Sequence, residues 1–137
     1  MKILIMGLPG SGKTTLAKQL QEKLDCKWYN ADKLRNEFND WDFSSEGRIR
    51  QAIRMRTLAN IESRILNSDY VICDFIAPTQ KIRDVFDADL TIWMNTISNS
   101  QYNDTDNMFE KPNCVDIEIT NFDYDINDIL KRITNER

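Results

Sequence analysis

The sequence predicts an α/β domain of three layers, α/β/α, around a mostly parallel five-stranded sheet. Three observations predict it. Apolar runs of strand length alternate with segments of helical spacing, the pattern of parallel strands joined by right-handed crossovers. The run at residues 70–75 is almost continuously apolar, as expected of a strand covered on both faces. Residues 7–14 read GLPGSGKT directly after the apolar run 3–6, a strand, glycine-rich turn and helix start in succession.

Residues 2–6 form the first strand. Residues 13–24 form a helix, with Leu16, Ala17, Leu20 and Leu24 on one face. Residues 27–29 are a short strand, after which Asp32 is expected to cap a helix running to about Phe38. Residues 39–43 are a loop carrying Trp41 and Phe43. The longest helix starts at Ser44 or Ser45 and is expected to end near Leu66. The strand at 70–75 is closed by Pro78. A short helix at 81–86, a strand at 90–94, a polar surface loop at 95–113, a strand at 115–119 and a helix at 125–133 complete the chain. No repeat, low-complexity tract or linker divides residues 1–137, which read as a single domain.

Composition narrows the chemistry. The 137 residues are 41% hydrophobic and 29% charged, ordinary values for a globular domain. No membrane span, signal peptide or transit peptide is expected, and the chain reads as cytoplasmic. Cys26, Cys73 and Cys114 are isolated and odd in number, which fits reduced thiols, with Cys73 a small buried strand residue. There is no histidine. That excludes Ser–His and Cys–His hydrolases and Cys–His metal clusters. Proton transfer near neutral pH falls to a carboxylate, a lysine, a tyrosine or water. The net charge of −4 argues against a general nucleic-acid binder, though not against a local basic pocket. A homodimer is compatible with this size.

The pattern G-x-x-x-x-G-K-[ST] makes Gly7, Leu8, Pro9, Gly10, Ser11, Gly12, Lys13, Thr14 and Thr15 the candidate ATP-binding set, in a P-loop nucleoside-triphosphate hydrolase-type fold. Backbone amides and the following helix N-terminus make a concavity for phosphate oxygens. Lys13 would reach the terminal phosphates. Thr14 would offer its hydroxyl to Mg²⁺, the expected metal partner of ATP, and Asp74, closing an apolar strand beside the loop, would hold that ion through water. Asp32 and Arg35 lie three apart on a helix and share a face. They follow a strand whose C-terminal end opens on the phosphate-loop edge. A carboxylate there can take a proton from an attacking hydroxyl, and an arginine can hold an anionic group by two hydrogen bonds. Lys13, Asp32 and Arg35 are thus the candidate catalytic groups. Arg48, in the first turn of the long helix near Phe43, is the best further cleft arginine, and Arg83, after Pro78, another.

These motifs resemble adenylylsulfate kinase across most of the chain. GLPGSGKTTLA is similar to that family's phosphate loop. Asn30-Ala31-Asp32-Lys33-Leu34-Arg35 stands where the family has D-G-D-x-x-R, and Phe43-Ser44-Ser45-Glu46-Gly47-Arg48 resembles F-S-x-E-D-R. Ile76-Ala77-Pro78 with Arg83 resembles I-S-P-x-x-x-x-R, and Phe109-Glu110-Lys111-Pro112 resembles Y-E-x-P. The resemblance implies transfer of phosphate from ATP to the ribose 3′-hydroxyl of adenylyl sulfate. Asp32 would be the base or orienting carboxylate, and Arg35 and Arg48 would bind the phosphosulfate. Phe43 would stack on the substrate adenine, with Tyr102 as the second ring. Gln51, Ile76, Ala77 and Arg83 complete the implied acceptor set. The partners are therefore ATP or ADP and a small anionic nucleotide.

The chain departs from the family at defined places. Asn30 replaces the first Asp of D-G-D, Gln51 an Asn, Ala77 a Ser and Gln80 an Arg. The loop at 95–115 is shorter than the family's cation-rich lid. Its one cation is Lys111, set against Asp104, Asp106 and Glu110. Losing lid cations predicts weaker ATP binding and slow turnover unless Arg48, Arg50 or Arg54 substitutes, since one such arginine contributes ~10³ in rate. Two other readings compete: a polynucleotide 5′-hydroxyl or other small-molecule kinase, and a non-catalytic nucleotide-binding module.

Overall fold

A computed structural model describes residues 1–135. Five strands form one sheet in the order β2-β3-β1-β4-β5. They are β1 (Lys2–Met6), β2 (Lys27–Asn30), β3 (Val71–Asp74), β4 (Leu90–Met94) and β5 (Ile117–Ile119). Every pairing is parallel, where the sequence predicted a mostly parallel sheet. The helices are α1 (Lys13–Leu24), α2 (Ala31–Glu37), α3 (Ser45–Asn60), α4 (Gln80–Phe86), α5 (Asn103–Met108) and α6 (Ile126–Asn135).

The alternation of β1 explains the layering. Ile3 and Ile5 face a core shared with Leu16 and Leu20 of α1 and Ile129 and Ile133 of α6. Leu4 and Met6 face a second core with Leu34 of α2, Ala52, Met55 and Ala59 of α3, and Ile82 and Phe86 of α4. The sheet is therefore covered on both faces, as the apolar runs require.

Four expectations are corrected. The cap of α2 is Asn30, whose side chain accepts from the Lys33 N–H, and Asp32 sits in the first turn. The long helix stops at Asn60 and continues as a single π turn, Ile61–Ile65, in place of regular helix to Leu66. The polar loop at 95–113 contains α5. The last strand spans only Ile117–Ile119.

Parallel register brings the strand ends to one edge. Ile5 of β1 pairs with Asp74 of β3, and Asp74 with Asn30 of β2. The loops after β1, β2 and β3 consequently meet above that edge, the usual place for a ligand in an open α/β sheet.

Candidate active site

Those loops enclose a cleft of about 1000 Å³. Its floor is made by Pro9, Gly10, Lys13 and Thr14, and one wall by Asp32, Arg35 and Asp74. Trp41, Phe43, Arg48, Gln51, Ile76, Ala77 and Tyr102 also line it. The structure thus brings together most of the residues singled out from the sequence. Gly7, Leu8, Ser11, Gly12 and Thr15 are not among its lining residues.

Gly7 shows why the loop needs glycine. Its φ is +150°, and a Cβ there would stand 2.8 Å from both the Met94 carbonyl oxygen and Ser11 Oγ. The loop is also tied down from outside: Thr96 Oγ1 donates to the Ser11 carbonyl at 2.7 Å. It opens onto the first turn of α1, whose amides have no intrahelical acceptor. Lys13 is folded over its own loop, donating from Nζ to the Leu8 carbonyl at 3.0 Å. Burial pulls its pKa down, against the opposing fields of Asp74 and Asp32. An anionic ligand over the loop would offer this ammonium a better partner than a neutral carbonyl.

Asp74 is buried, and its Oδ2 accepts from Trp28 Nε1 at 2.7 Å and from Asn30 Nδ2 at 3.1 Å. Burial raises its pKa; the bonds from Asn30 and Trp28 and the charge of Lys13 oppose that rise. The same Asn30 nitrogen lies 3.5 Å from Thr14 Oγ1. A hydroxyl and a carboxylate thus flank one spot beside the phosphate loop. Among the described residues, no cluster of three or more His, Cys, Asp or Glu side chains could cage a metal ion by itself. Two hard oxygen donors next to a phosphate site fit Mg²⁺, which keeps water and phosphate oxygens as most of its ligands.

The acceptor side is built on arginines. Arg35 is 4% exposed and donates from Nη1 to the Asp40 and Asp42 carbonyls, both at 3.0 Å. Its guanidinium carbon stands 4.3 Å from the Phe43 ring centroid. Arg48 lies 5.5 Å from the same ring and donates from Nε to the Phe43 carbonyl at 2.9 Å. Phe43 is therefore propped by two guanidinium groups while 48% exposed to the cleft. The two-bond grip on an anion expected of Arg35 is modified accordingly: Nη1 already holds the loop. Below the loop, Asp40 receives Arg50 at 2.8 Å and Arg54 at 2.9 Å, which hold its carboxyl far below the usual carboxylate range. Gln51 is buried, donating from Nε2 to the Ala31 carbonyl and accepting from Arg54.

Arg83 is a correction. It lies outside the cleft lining, donating from Nε to the Ala77 carbonyl and from Nη2 to the Pro78 and Glu110 carbonyls. Its guanidinium also stands 5.2 Å from the Phe109 ring, and Phe109 stacks on Trp93. Two of the sequence motifs, one around Pro78 and one at 109–112, are thereby strapped to each other. The strap holds Ala77 in a left-handed conformation, φ +47°, at the cleft wall.

Sequence reasoning missed Trp28 and Phe122. Trp28 had no visible partner, since Asp74 is 46 residues away. Phe122 is 58% exposed, with its ring edge 3.3 Å from where a Cβ on Gly12 would be. An aromatic three residues past the end of the last strand was the available signal.

A family model described as an AAA domain matches residues 3–111. A probable adenylyl-sulfate kinase of Aeropyrum pernix is 33% identical over 92 residues, 61% of this chain and 48% of that protein. The chain thus spans about half the length of that curated relative. The structure of the Mycobacterium tuberculosis APS kinase in complex with AMPPNP and APS superposes with a TM-score of 0.72 at 18% identity, over 98% of this chain and 95% of that one. A hexameric APS kinase from Thiobacillus denitrificans gives 0.71 at 21% identity, over 98% of this chain and 28% of that one. At these identities the two superpositions establish a shared P-loop kinase fold.

Proposed function

The chain belongs to the AAA-domain family, and from that premise we propose that it is an ATP-dependent kinase phosphorylating the 3′-hydroxyl of adenylyl sulfate. One observation carries the reading. A phosphate loop with its lysine and an acid–arginine–aromatic wall open on the same cleft of about 1000 Å³. The 33% identity to a probable adenylyl-sulfate kinase supports the choice of acceptor.

In this reading the ATP phosphates lie over the loop and the first-turn amides of α1, and Lys13 leaves the Leu8 carbonyl for a terminal phosphate oxygen. Thr14 and Asp74 would hold Mg²⁺, which would supply positive charge to offset that of the phosphates. Asp32, at the cleft wall, accepts the proton of the acceptor hydroxyl. The oxygen so freed bonds to the γ-phosphorus, the β–γ bridging bond breaks, and ADP leaves with the electron pair. Phe43 and Tyr102, both half-exposed at the cleft, take the acceptor purine between them. Arg48, and the remaining donors of Arg35, face its anionic end. The reduced cysteines fit a cytoplasmic setting.

The test is a competition for γ-labelled ATP among adenylyl sulfate, a 5′-hydroxyl oligonucleotide and shikimate, run on the native chain and on Asp32→Asn. Label should enter adenylyl sulfate, and Asp32→Asn should abolish transfer while ATP binding survives. Label in the oligonucleotide or shikimate would reassign the acceptor. The cation-poor loop favours one second reading, a nucleotide-binding module without transfer. It predicts Mg·ATP binding with no labelled product from any acceptor.

A further inference from the structure

We propose that Trp28 is a positioning residue for the metal-holding carboxylate. With Asn30 it clamps Asp74 Oδ2 and so fixes which carboxylate oxygen is presented beside Thr14. The inference rests on the proposed Mg·nucleotide site and needs no assumption about the acceptor.

The geometry is specific. Trp28 lies on β2 and Asp74 at the end of β3, and the parallel register sets Asn30 directly beside Asp74. Trp28 Nε1 donates to Asp74 Oδ2 at 2.7 Å, and Asn30 Nδ2 donates to the same oxygen at 3.1 Å. Both donors approach one oxygen, so the carboxylate cannot rotate without breaking two bonds. Asn30 is itself fixed, because its Oδ1 caps α2 through the Lys33 N–H at 3.0 Å. The Trp28 ring packs against the core formed with α1. The indole is thus anchored by apolar packing while its one polar atom points at the cleft wall.

A purely structural indole would need no carboxylate that also lines the cleft. Asp74 does line it, together with Thr14 and Lys13. Groups that orient a metal ligand change metal affinity by about 10–100-fold when lost. They leave metal-free binding at the same site largely alone. That split separates orientation from general stability.

The experiment is calorimetric titration of the full chain with ADP, with and without Mg²⁺, for the native protein and Trp28→Phe. The phenyl ring keeps apolar bulk and removes the N–H. Trp28→Phe should lower the gain in ADP affinity conferred by Mg²⁺ about tenfold. Affinity for metal-free ADP should stay within about twofold. An unchanged gain, or an equal loss with and without metal, would overturn the proposal. A second measurement covers failure of the variant to fold. The Trp28 indole N–H resonance of the native chain, assigned by elimination with Trp41→Phe and Trp93→Phe, should shift when Mg²⁺ is added to the ADP complex. A resonance that ignores the metal would overturn it too. Failure to bind ADP at all would sink both this inference and the proposed nucleotide site, whereas ADP binding without the metal split sinks this inference alone.

Discussion

Replacing Gly47 with alanine should destabilise the protein and weaken acceptor binding together, against the ordinary rule for helices. Gly47 lies within α3, where Gly→Ala normally stabilises by about 1 kcal/mol. Here the space is taken. A Cβ at Gly47 would overlap the Asp42 carbonyl oxygen and stand 2.8 Å from the carbonyl carbon. Both are backbone atoms, so the loop must retreat by roughly an ångström to reach ordinary contact distance. It cannot retreat freely. Arg35 holds the Asp40 and Asp42 carbonyls, Arg50 the carboxylates of both residues, and Arg54 that of Asp40. Overpacking costs about 1–3 kcal/mol, and a lost bond to the Arg35 guanidinium costs about 1.5–3 kcal/mol more. Set against the gain in helix propensity of about 1 kcal/mol, the net is a loss of about 1.5–5 kcal/mol. For a domain of this size each kcal/mol lowers Tm by about 3–5 °C. Urea denaturation and thermal melts measure the loss. Initial-rate kinetics should show a raised acceptor KM, because Phe43 rides on the displaced loop, and an ATP KM within about twofold of native. A variant more stable by about 1 kcal/mol with unchanged kinetics would refute the reasoning.

Phe43→Ala and Tyr102→Ala should each raise the KM for adenylyl sulfate by about 5–100-fold, the range for loss of one base-stacking contact, and spare that for ATP. Initial rates at varied acceptor check this, and an equal rise for ATP would place the purine elsewhere. Asp40→Asn should lower Tm at neutral pH. Because its pKa is depressed on folding, its contribution is present above the unfolded carboxylate value of about 3.9 and is lost as pH falls through the folded one. The difference between native and variant melts should therefore be flat from about pH 8 to 5 and narrow only below about pH 4. A difference that shrinks between pH 7 and 5 would contradict the assignment. Finally, a thiol reagent at pH 8 should label exposed Cys114 quickly. Cys26, pushed up to about 11 by burial and by the charge of Asp25, and buried Cys73 should react only on unfolding. Stopped-flow absorbance with and without denaturant counts the fast thiols.

Local pattern carried much of this fold because its signals are local. The continuous apolar run of β1, the helical spacing of Leu16 and Leu20, and the glycines before Lys13 each act within a few residues. Asp32 and Arg35 could be placed beside the phosphate loop because parallel strands end on a common edge, whereas Phe43 and Tyr102 were placed by the resemblance to adenylylsulfate kinase. What local pattern could not carry was register. Nothing near Trp28 says that its indole meets Asp74, since the bond exists only because β2 and β3 pair with Asn30 opposite Asp74. Arg83 was misplaced for the same reason. Its spacing from Pro78 suggested the cleft, yet the carbonyls of Ala77, Pro78 and Glu110 draw its donors inward. Asn30 displaced Asp32 as helix cap by a choice between two good capping residues that spacing alone does not decide.

The charge balance of the short loop follows from where its acids are engaged. Asp106 accepts from both the N–H and the hydroxyl of Ser100, and the Glu110 carboxylate accepts from the Gln80 N–H. Both are occupied in fixing the loop. Asp104 is the loop acid that lines the cleft. On the other side of the ledger, Lys111 is exposed and absent from the lining, Arg50 is drawn to Asp40 and Asp42, and Arg54 to Asp40. Neither arginine can compensate for the missing lid cations without leaving its carboxylate partners. Among the described residues, Lys13, Arg35 and Arg48 are the cations that line the cleft, and the latter two are engaged around Phe43. In the proposed reading, positive charge at the transferred phosphoryl group would fall chiefly on Lys13 and Mg²⁺, with Asp104 opposing them. A lid-type arginine is worth about 10³–10⁵ in rate. For the proposed kinase we therefore expect slow turnover, and steady-state kinetics showing full-speed transfer would contradict that expectation.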